Sequence, residues 1–195
     1  MSTGTSVEAK RTIVDSEWVT ATSAWRKRVL VVGGGFQVAF GALWLTRGLL
    51  PLARLPIALA VGTLVLVAGM IAAFGLRRFG TRPQGPKARI IERRLTIATV
   101  LQLAASIVVP ITIASAAGHR LVLPSIVFTI GVLLVWIHRE VQTPYQGVAG
   151  WLLVGLAAVS GLMTGSAQVV TIGLTSAIIL LGCASAGFLW LRLSN

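Results

Sequence analysis

RRFGTRPQGPKARIIERR, residues 77–94, is the stretch that decides the fold of this chain. Seven of its eighteen residues are Arg or Lys, and its one acidic residue is Glu92. Long apolar stretches precede and follow it, and a soluble protein could not bury both of them. A basic block between two apolar stretches stays on the cytoplasmic side of a bilayer, so residues 77–94 predict a membrane protein and its orientation.

The composition points the same way. Of the 195 residues, 55% are hydrophobic and 11% are charged, and the mean hydropathy is +0.87. Soluble domains carry about 25% charged residues. The net charge of +12 would also suit a nucleic-acid-binding protein, but such a protein needs its cations on a folded soluble surface. Here the cations flank apolar stretches, so we predict no nucleic-acid partner.

The apolar stretches predict an all-α membrane protein with six transmembrane helices. The expected spans are roughly residues 29–45, 55–76, 95–116, 121–137, 148–165 and 167–191. Each can cross about 30 Å of hydrocarbon, although the first and fourth are near the lower limit of length. The spans form one domain, residues 29–195, which follows a cytoplasmic segment, residues 1–28.

The cytoplasmic segment is predicted to contain an amphipathic helix. Apolar residues at helical spacing precede three consecutive cations: Val7, Val14, Trp18, Ala21, Trp25, then Arg26, Lys27 and Arg28. This pattern is typical of a helix that lies on the inner leaflet. A helix that packs on the protein's own cytoplasmic loops explains it equally well.

The distribution of cations predicts the topology. With the N-terminus in the cytoplasm, all 17 Lys and Arg lie on the cytoplasmic side except Arg47, Arg54 and Arg120. The opposite orientation would reverse this ratio. We therefore predict a multi-pass protein of a bacterial cytoplasmic (inner) membrane with both termini in the cytoplasm. Residues 77–94, with Ile90 and Ile91 between cations, are also predicted to contact anionic lipids of the inner leaflet.

Small residues predict where helices approach closely. Ala58 with Gly62, and Gly69 with Ala73, are small residues four apart on one helix face. The glycines at 33–35 look like the start of a dinucleotide-binding turn, but Val38 stands where that motif needs a third glycine. We therefore interpret these glycines as residues that let another helix approach closely, or that locally loosen the span.

The acidic residues argue against an enzyme. All five fall in segments predicted to be cytoplasmic or at their edge: Glu8, Asp15, Glu17, Glu92 and Glu140. Membrane enzymes and proton-coupled pumps use acids within the bilayer or at its edge for protons or Mg²⁺. His119 and His138 are predicted on opposite faces, and Cys183 is the single cysteine. We predict no catalytic residue, no metal and no cofactor.

Three glutamines within the predicted spans are candidate ligand-binding residues. Gln37, Gln102 and Gln168 must each find a hydrogen-bond partner in hydrocarbon. Hydrogen bonds between helices would satisfy them, and so would a polar pocket that holds a ligand.

A second candidate site is a set of cations on the predicted outer face. Arg47, Arg54, His119 and Arg120 have no acidic residue near them in the sequence. Such a set suits the phosphate or carboxylate of a head group. The simpler interpretation is that these side chains extend to lipid phosphates at the span ends.

Two predicted spans contain an aromatic residue followed by a glycine about one turn later: WLLVG, residues 151–155, and FQVAFG, residues 36–41, whose glycine falls one residue late. With the six-span layout, this pattern resembles HdeD-type bacterial membrane proteins, whose spans often open with an aromatic residue and a glycine one turn later. Residues 131–150, with Arg139, Pro144 and Tyr145, also look like a second group of small, uncharacterised bacterial membrane proteins. The resemblance implies a non-enzymatic, stress-related membrane protein and transfers no functional residue.

Together these observations predict a protein that binds or transports a small lipid-like or amphiphilic molecule, in a cavity lined by the three glutamines. The first alternative is a non-catalytic membrane subunit of a larger complex, or a homo-oligomer. It predicts that Ala157, Gly161 and Gly165 present a flat face of small residues to a partner. The second alternative is a membrane-embedded enzyme.

Overall fold

The computed structural model describes residues 30–76, 86–117, 119–141 and 143–193, which form helices and no strands. The long helices within them are α1 Leu30–Leu49, α2 Leu55–Leu76, α3 Pro86–Ala117, α4 Val122–Val141, α5 Pro144–Ser160 and α6 Gly165–Leu193. A short 3₁₀ helix, His119–Leu121, precedes α4. The predicted all-helical fold is confirmed for these residues. The predicted amphipathic helix in residues 1–28, and residues 77–85 of the basic stretch, lie outside them.

Four stretches are long and apolar enough to cross a membrane. They are Leu30–Leu49, Leu55–Phe74, His119–Arg139 and Gly165–Leu193, in the places of the predicted first, second, fourth and sixth spans. The apolar part of α3 is Val100–Ser115, and α5 has 17 residues. Both are shorter than the about 20 residues of a typical span. Their passage through the bilayer stays a prediction.

The second half of the basic stretch is helical. α3 begins at Pro86, well before the predicted span at residues 95–116, and proline is well suited to the first turn of a helix. Its 32 residues extend about 48 Å, which exceeds the hydrocarbon thickness of about 30 Å. Ile90, Arg93 and Arg94 are exposed in its first turns.

Apolar side chains cover much of the outer surface. On α2, Ile57, Leu64 and Ile71 recur every seven residues, and each is more than half exposed. Soluble monomers rarely expose apolar surface as extensive as this. Such an apolar surface is suited to contact with the hydrocarbon of a lipid bilayer.

The core lies between α1, α4, α5 and α6. Each helix contributes a buried apolar residue to it: Trp44, Val127, Leu153 and Ile172 respectively. α2 packs on α1, and α3 packs on α4. The two peripheral helices therefore flank a central group of four.

α1 and α6 pack antiparallel along their length. Gly34 faces Phe188 at one end, Gly48 contacts Gly173 near the other, and Gly41 packs on α6 between them. Residue numbers rise on α1 as they fall on α6, which defines the antiparallel arrangement. The seven-residue spacing keeps the three glycines close to one face of the helix.

The three consecutive glycines of α1 face three different helices. Gly33 faces α5 at Gln146, Gly34 faces α6, and Gly35 faces α2 at Ala73. Successive helical residues are about 100° apart around the axis, so adjacent small residues admit neighbours from several directions. α1 is the helix around which these three neighbours assemble.

The small residues of α2 form its contact with α1. Ala58, Gly62 and Ala73 are buried, and a Cβ added to Gly62 or Gly69 would overlap side chains of α1. Most of the remaining α2 surface faces outward. The predicted pairs of small residues are confirmed as helix-contact residues.

The small-residue face predicted for a partner is used within the chain. Ala157 is buried in the core, and the Gly161 carbonyl oxygen accepts a hydrogen bond from Arg120. Gly165 has open space around the position of a Cβ. Ala157 is therefore not available to another protein, because it is buried in the core. Contact of Gly161 and Gly165 with a partner stays a prediction.

Candidate functional site

The packing of the helices places the polar residues at two ends of the bundle. The end of α1, the start of α4, the end of α5 and the start of α6 lie together, and we call this the outer end. The start of α1, the end of α4, the start of α5 and the end of α6 form the inner end, where Leu30, Val31 and Leu191 pack together. The two names follow the orientation predicted from the cations.

Gln168 joins three helices at the outer end. It is 5% exposed, and its Nε2 donates hydrogen bonds to the carbonyl oxygens of Arg120, at 3.0 Å, and Ser160, at 2.9 Å. The Arg120 Nη2 donates to the carbonyl oxygen of Gly161 at 3.0 Å. The last carbonyl groups of a helix have no partner within it. Gln168 and Arg120 therefore close the end of α5, and two residues predicted from the sequence lie in contact.

The other predicted cations lie at the same end. Arg47 is in the last turn of α1, Arg54 is in the turn before α2, and His119 is next to Arg120 in the 3₁₀ helix. All four side chains are exposed. The described part of the outer end contains no Asp or Glu, because Glu92 is near the start of α3 and Glu140 is near the end of α4. Among the described residues, the outer end is therefore a surface with exposed arginines and no carboxylate to neutralise them.

Gln37 lies nearer the inner end. Its side chain is buried and hydrogen-bonds to the Cys183 thiol on α6. Cys183 is about 22 Å further along α6 than Gln168, at about 1.5 Å per residue. Gln102 is half-buried on α3, which packs on α4. The structure does not bring the three glutamines together.

The inner end holds a buried polar cluster that sequence reasoning did not identify. Gln146 is 2% exposed, and its Oε1 accepts a hydrogen bond from the Thr143 hydroxyl, which is also buried. The His138 Nδ1 lies 3.0 Å from the Thr143 carbonyl oxygen. Because a carbonyl oxygen only accepts, Nδ1 donates this hydrogen bond. The thiol of Cys183 approaches the Tyr145 carbonyl oxygen at 3.9 Å.

A sequence signal for this cluster exists. Thr143, Pro144, Tyr145 and Gln146 read as Thr-x-x-Gln with proline in the first helical position, which is the pattern of a helix N-terminus. Thr143 is the N-cap of α5, but its hydroxyl bonds to the Gln146 side chain instead of a backbone N–H. The cluster holds the turn between α4 and α5 in place.

The described residues contain no group of three or more His, Cys, Asp or Glu side chains that could hold a metal ion. His138 and Cys183 both lie toward the inner end, whereas His119 lies at the outer end.

No protein-family model, curated protein or solved structure matches this chain. Its function is therefore inferred from its own contacts and charges.

Proposed function

We propose that this chain is a six-span protein of a bacterial inner membrane, with both termini in the cytoplasm, that binds the anionic head of a lipid-like molecule. The head group would bind at the outer end. The observation that carries the proposal is that Arg120, held by Gly161 and Gln168, lies at the same end as the exposed side chains of Arg47, Arg54 and His119.

The course of α5 supports the proposal that all six long helices cross the bilayer. Its first turn contacts the inner end, since a Cβ on Gly187 would lie 3.3 Å from the Tyr145 hydroxyl. Its last turn contacts the outer end through Ser160 and Gln168. Because α5 joins both ends of the bundle and lies between two candidate spans, its course supports the proposal that it also crosses the bilayer. α3 likewise leads into the 3₁₀ helix at the outer end.

The chemistry of Arg120 supports an anionic ligand. A guanidinium carries five N–H donors in a planar fork that fits phosphate or carboxylate, and one hydrogen bond to Gly161 leaves further donors for a ligand. The bond also restricts the motion of the side chain, so less conformational entropy is lost on binding. Arg47 and Arg54 add positive charge at the same end.

Lipid binding to purified protein tests the proposal. Native mass spectrometry in an uncharged detergent would compare phosphatidylglycerol with phosphatidylcholine of equal chain length. We expect Arg120→Gln to weaken phosphatidylglycerol binding about tenfold, because a hydrogen bond to a charged group contributes about 1.5–3 kcal/mol. Phosphatidylcholine binding should weaken less, because its choline neutralises the phosphate that Arg120 would contact.

The matched control is Arg192→Gln, which removes an exposed arginine from the inner end. It should leave the preference for phosphatidylglycerol largely intact. Equal effects of the two variants would show that the arginines act only as general contacts to lipid phosphates, and the proposal would be abandoned.

We also propose a contact between α3 and anionic lipid of the inner leaflet. Ile90 and Arg93 are exposed in its first turns, which pairs an apolar side chain with a cation at the expected membrane surface. The resemblance to HdeD-type proteins stays a proposal.

A further inference from the structure

Two polar atoms are buried in the middle of the bundle without a hydrogen-bond partner in the described part of the chain. They are the indole Nε1 of Trp44, which is 3% exposed, and the hydroxyl of Ser176, which is 0% exposed. A buried donor without an acceptor is unfavourable, and hydrocarbon supplies no water to replace the missing partner. Two such groups in one protein call for a physical explanation.

Trp44 faces α6. It lies three residues after Gly41 and four before Gly48, and both glycines contact α6. Residues at these spacings share one face of a helix. The backbone of Trp44 also lies close to α6, since a Cβ added to Gly173 would lie 2.8 Å from the Trp44 carbonyl oxygen.

Ser176 faces α1 at the same level. It lies three residues after Gly173, which contacts Gly48, and four before Leu180, which lies next to Gly41. Trp44 on α1 and Ser176 on α6 therefore both lie between the same two helix contacts, Gly48 with Gly173 and Gly41 with Leu180. The antiparallel pairing places the two side chains in one layer of the interface between α1 and α6.

We propose that Trp44 and Ser176 together bind one neutral oxygen atom in this layer. The indole is a donor only and the hydroxyl is a donor and an acceptor, so an oxygen that accepts from both would satisfy them. The surrounding core residues, including Val127, Leu153 and Ile172, are apolar and would leave an anion without compensation. The oxygen belongs to a trapped water or to the carbonyl of a bound amphiphile. This inference does not rest on the proposed function at the outer end.

NMR of the purified protein with ¹⁵N-labelled tryptophan tests the shared oxygen. Trp44→Phe identifies the Trp44 indole signal. We expect Ser176→Ala to move that signal. Ser160→Ala is the matched control, because Ser160 is also 0% exposed but donates to the carbonyl oxygen of Ala157. A Trp44 signal that Ser176→Ala leaves in place would overturn the proposal.

Two measurements on the wild-type protein distinguish a water oxygen from a lipid carbonyl oxygen. A magnetisation-transfer signal between water and the Trp44 indole proton in lipid-free protein assigns it to water. A shift that requires diacyl phosphatidylglycerol, and is absent with the dialkyl ether analogue, assigns it to a lipid carbonyl. If neither is seen, the Trp44 indole bonds directly to Ser176 or to nothing, and the proposal is wrong.

Thermal unfolding in detergent provides a second, independent readout. Trp44→Phe and Ser176→Ala should each lower the unfolding midpoint, and the double variant should lower it by less than the sum, because the two share one partner. Additive effects would contradict a shared oxygen. This comparison remains valid if one variant broadens the NMR spectrum.

Discussion

Gly48 of α1 and Gly173 of α6 meet backbone against backbone. A Cβ added to Gly48 would lie 2.7 Å from the backbone nitrogen of Leu174, and one added to Gly173 would overlap the Cα of Gly48. Backbone atoms cannot rotate away as a flexible side chain does. The contact therefore sets the distance between α1 and α6 beside the layer of Trp44.

Gly173→Ala should destabilise the protein by about 3 kcal/mol, the upper end of the effect of overpacking a core. Thermal unfolding in detergent measures this. Gly182→Ala on the same helix is the control, because nothing lies within 4 Å of its Cβ position. It should be neutral, or stabilising by up to about 1 kcal/mol through helix propensity. Equal effects of the two variants would mean that α1 does not pack at Gly173.

Gln168→Leu should destabilise the outer end. It removes the donor to the carbonyl oxygens of Arg120 and Ser160. The Ser160 carbonyl keeps the hydrogen bond from the Met163 backbone N–H, so we expect a loss of about 1–3 kcal/mol, mainly from the Arg120 carbonyl. Ser166→Ala, at an exposed position in the first turn of α6, is the control and should change little. Hydrogen–deuterium exchange at the end of α5 should rise in the first variant only. Unchanged exchange there would contradict the role of Gln168 as a cap.

Thr143→Val should loosen the turn between α4 and α5. The valine matches threonine in shape but cannot donate to the buried Gln146 Oε1, so we expect a loss of about 1–3 kcal/mol. Thr143→Ser keeps the hydroxyl and should retain most of the stability. If Thr143→Val is as stable as the wild type while Thr143→Ser is not, the hydroxyl makes no contribution and the packing of the methyl group determines the stability.

Cysteine labelling in intact cells tests the predicted topology. Thr164→Cys, between α5 and α6, should react with a membrane-impermeant maleimide from outside. Arg139→Cys, near the end of α4, should react only after the membrane is permeabilised. The native Cys183 is buried and should not react in either condition. The reverse pattern would overturn the assignment of the inner and outer ends.

The sequence by itself determined the helical class, four of the candidate spans and the helix-contact role of the small residues of α2. These follow from local quantities, because the length of an apolar stretch and the presence of glycine or alanine are properties of the segment alone. The orientation was also read from the sequence, since it depends on the cations near each span, and the labelling experiment tests it.

Only the tertiary structure decided which faces are buried and which polar groups meet. α2 and α6 are apolar nearly all round, so hydropathy periodicity does not mark a buried face on either helix. Lipid is as apolar as a protein core, so an apolar side chain can suit both environments. The bond from Gln168 to Arg120, the cluster at Thr143 and Gln146, and the shared layer of Trp44 and Ser176 all depend on helix neighbours, which composition and spacing do not specify.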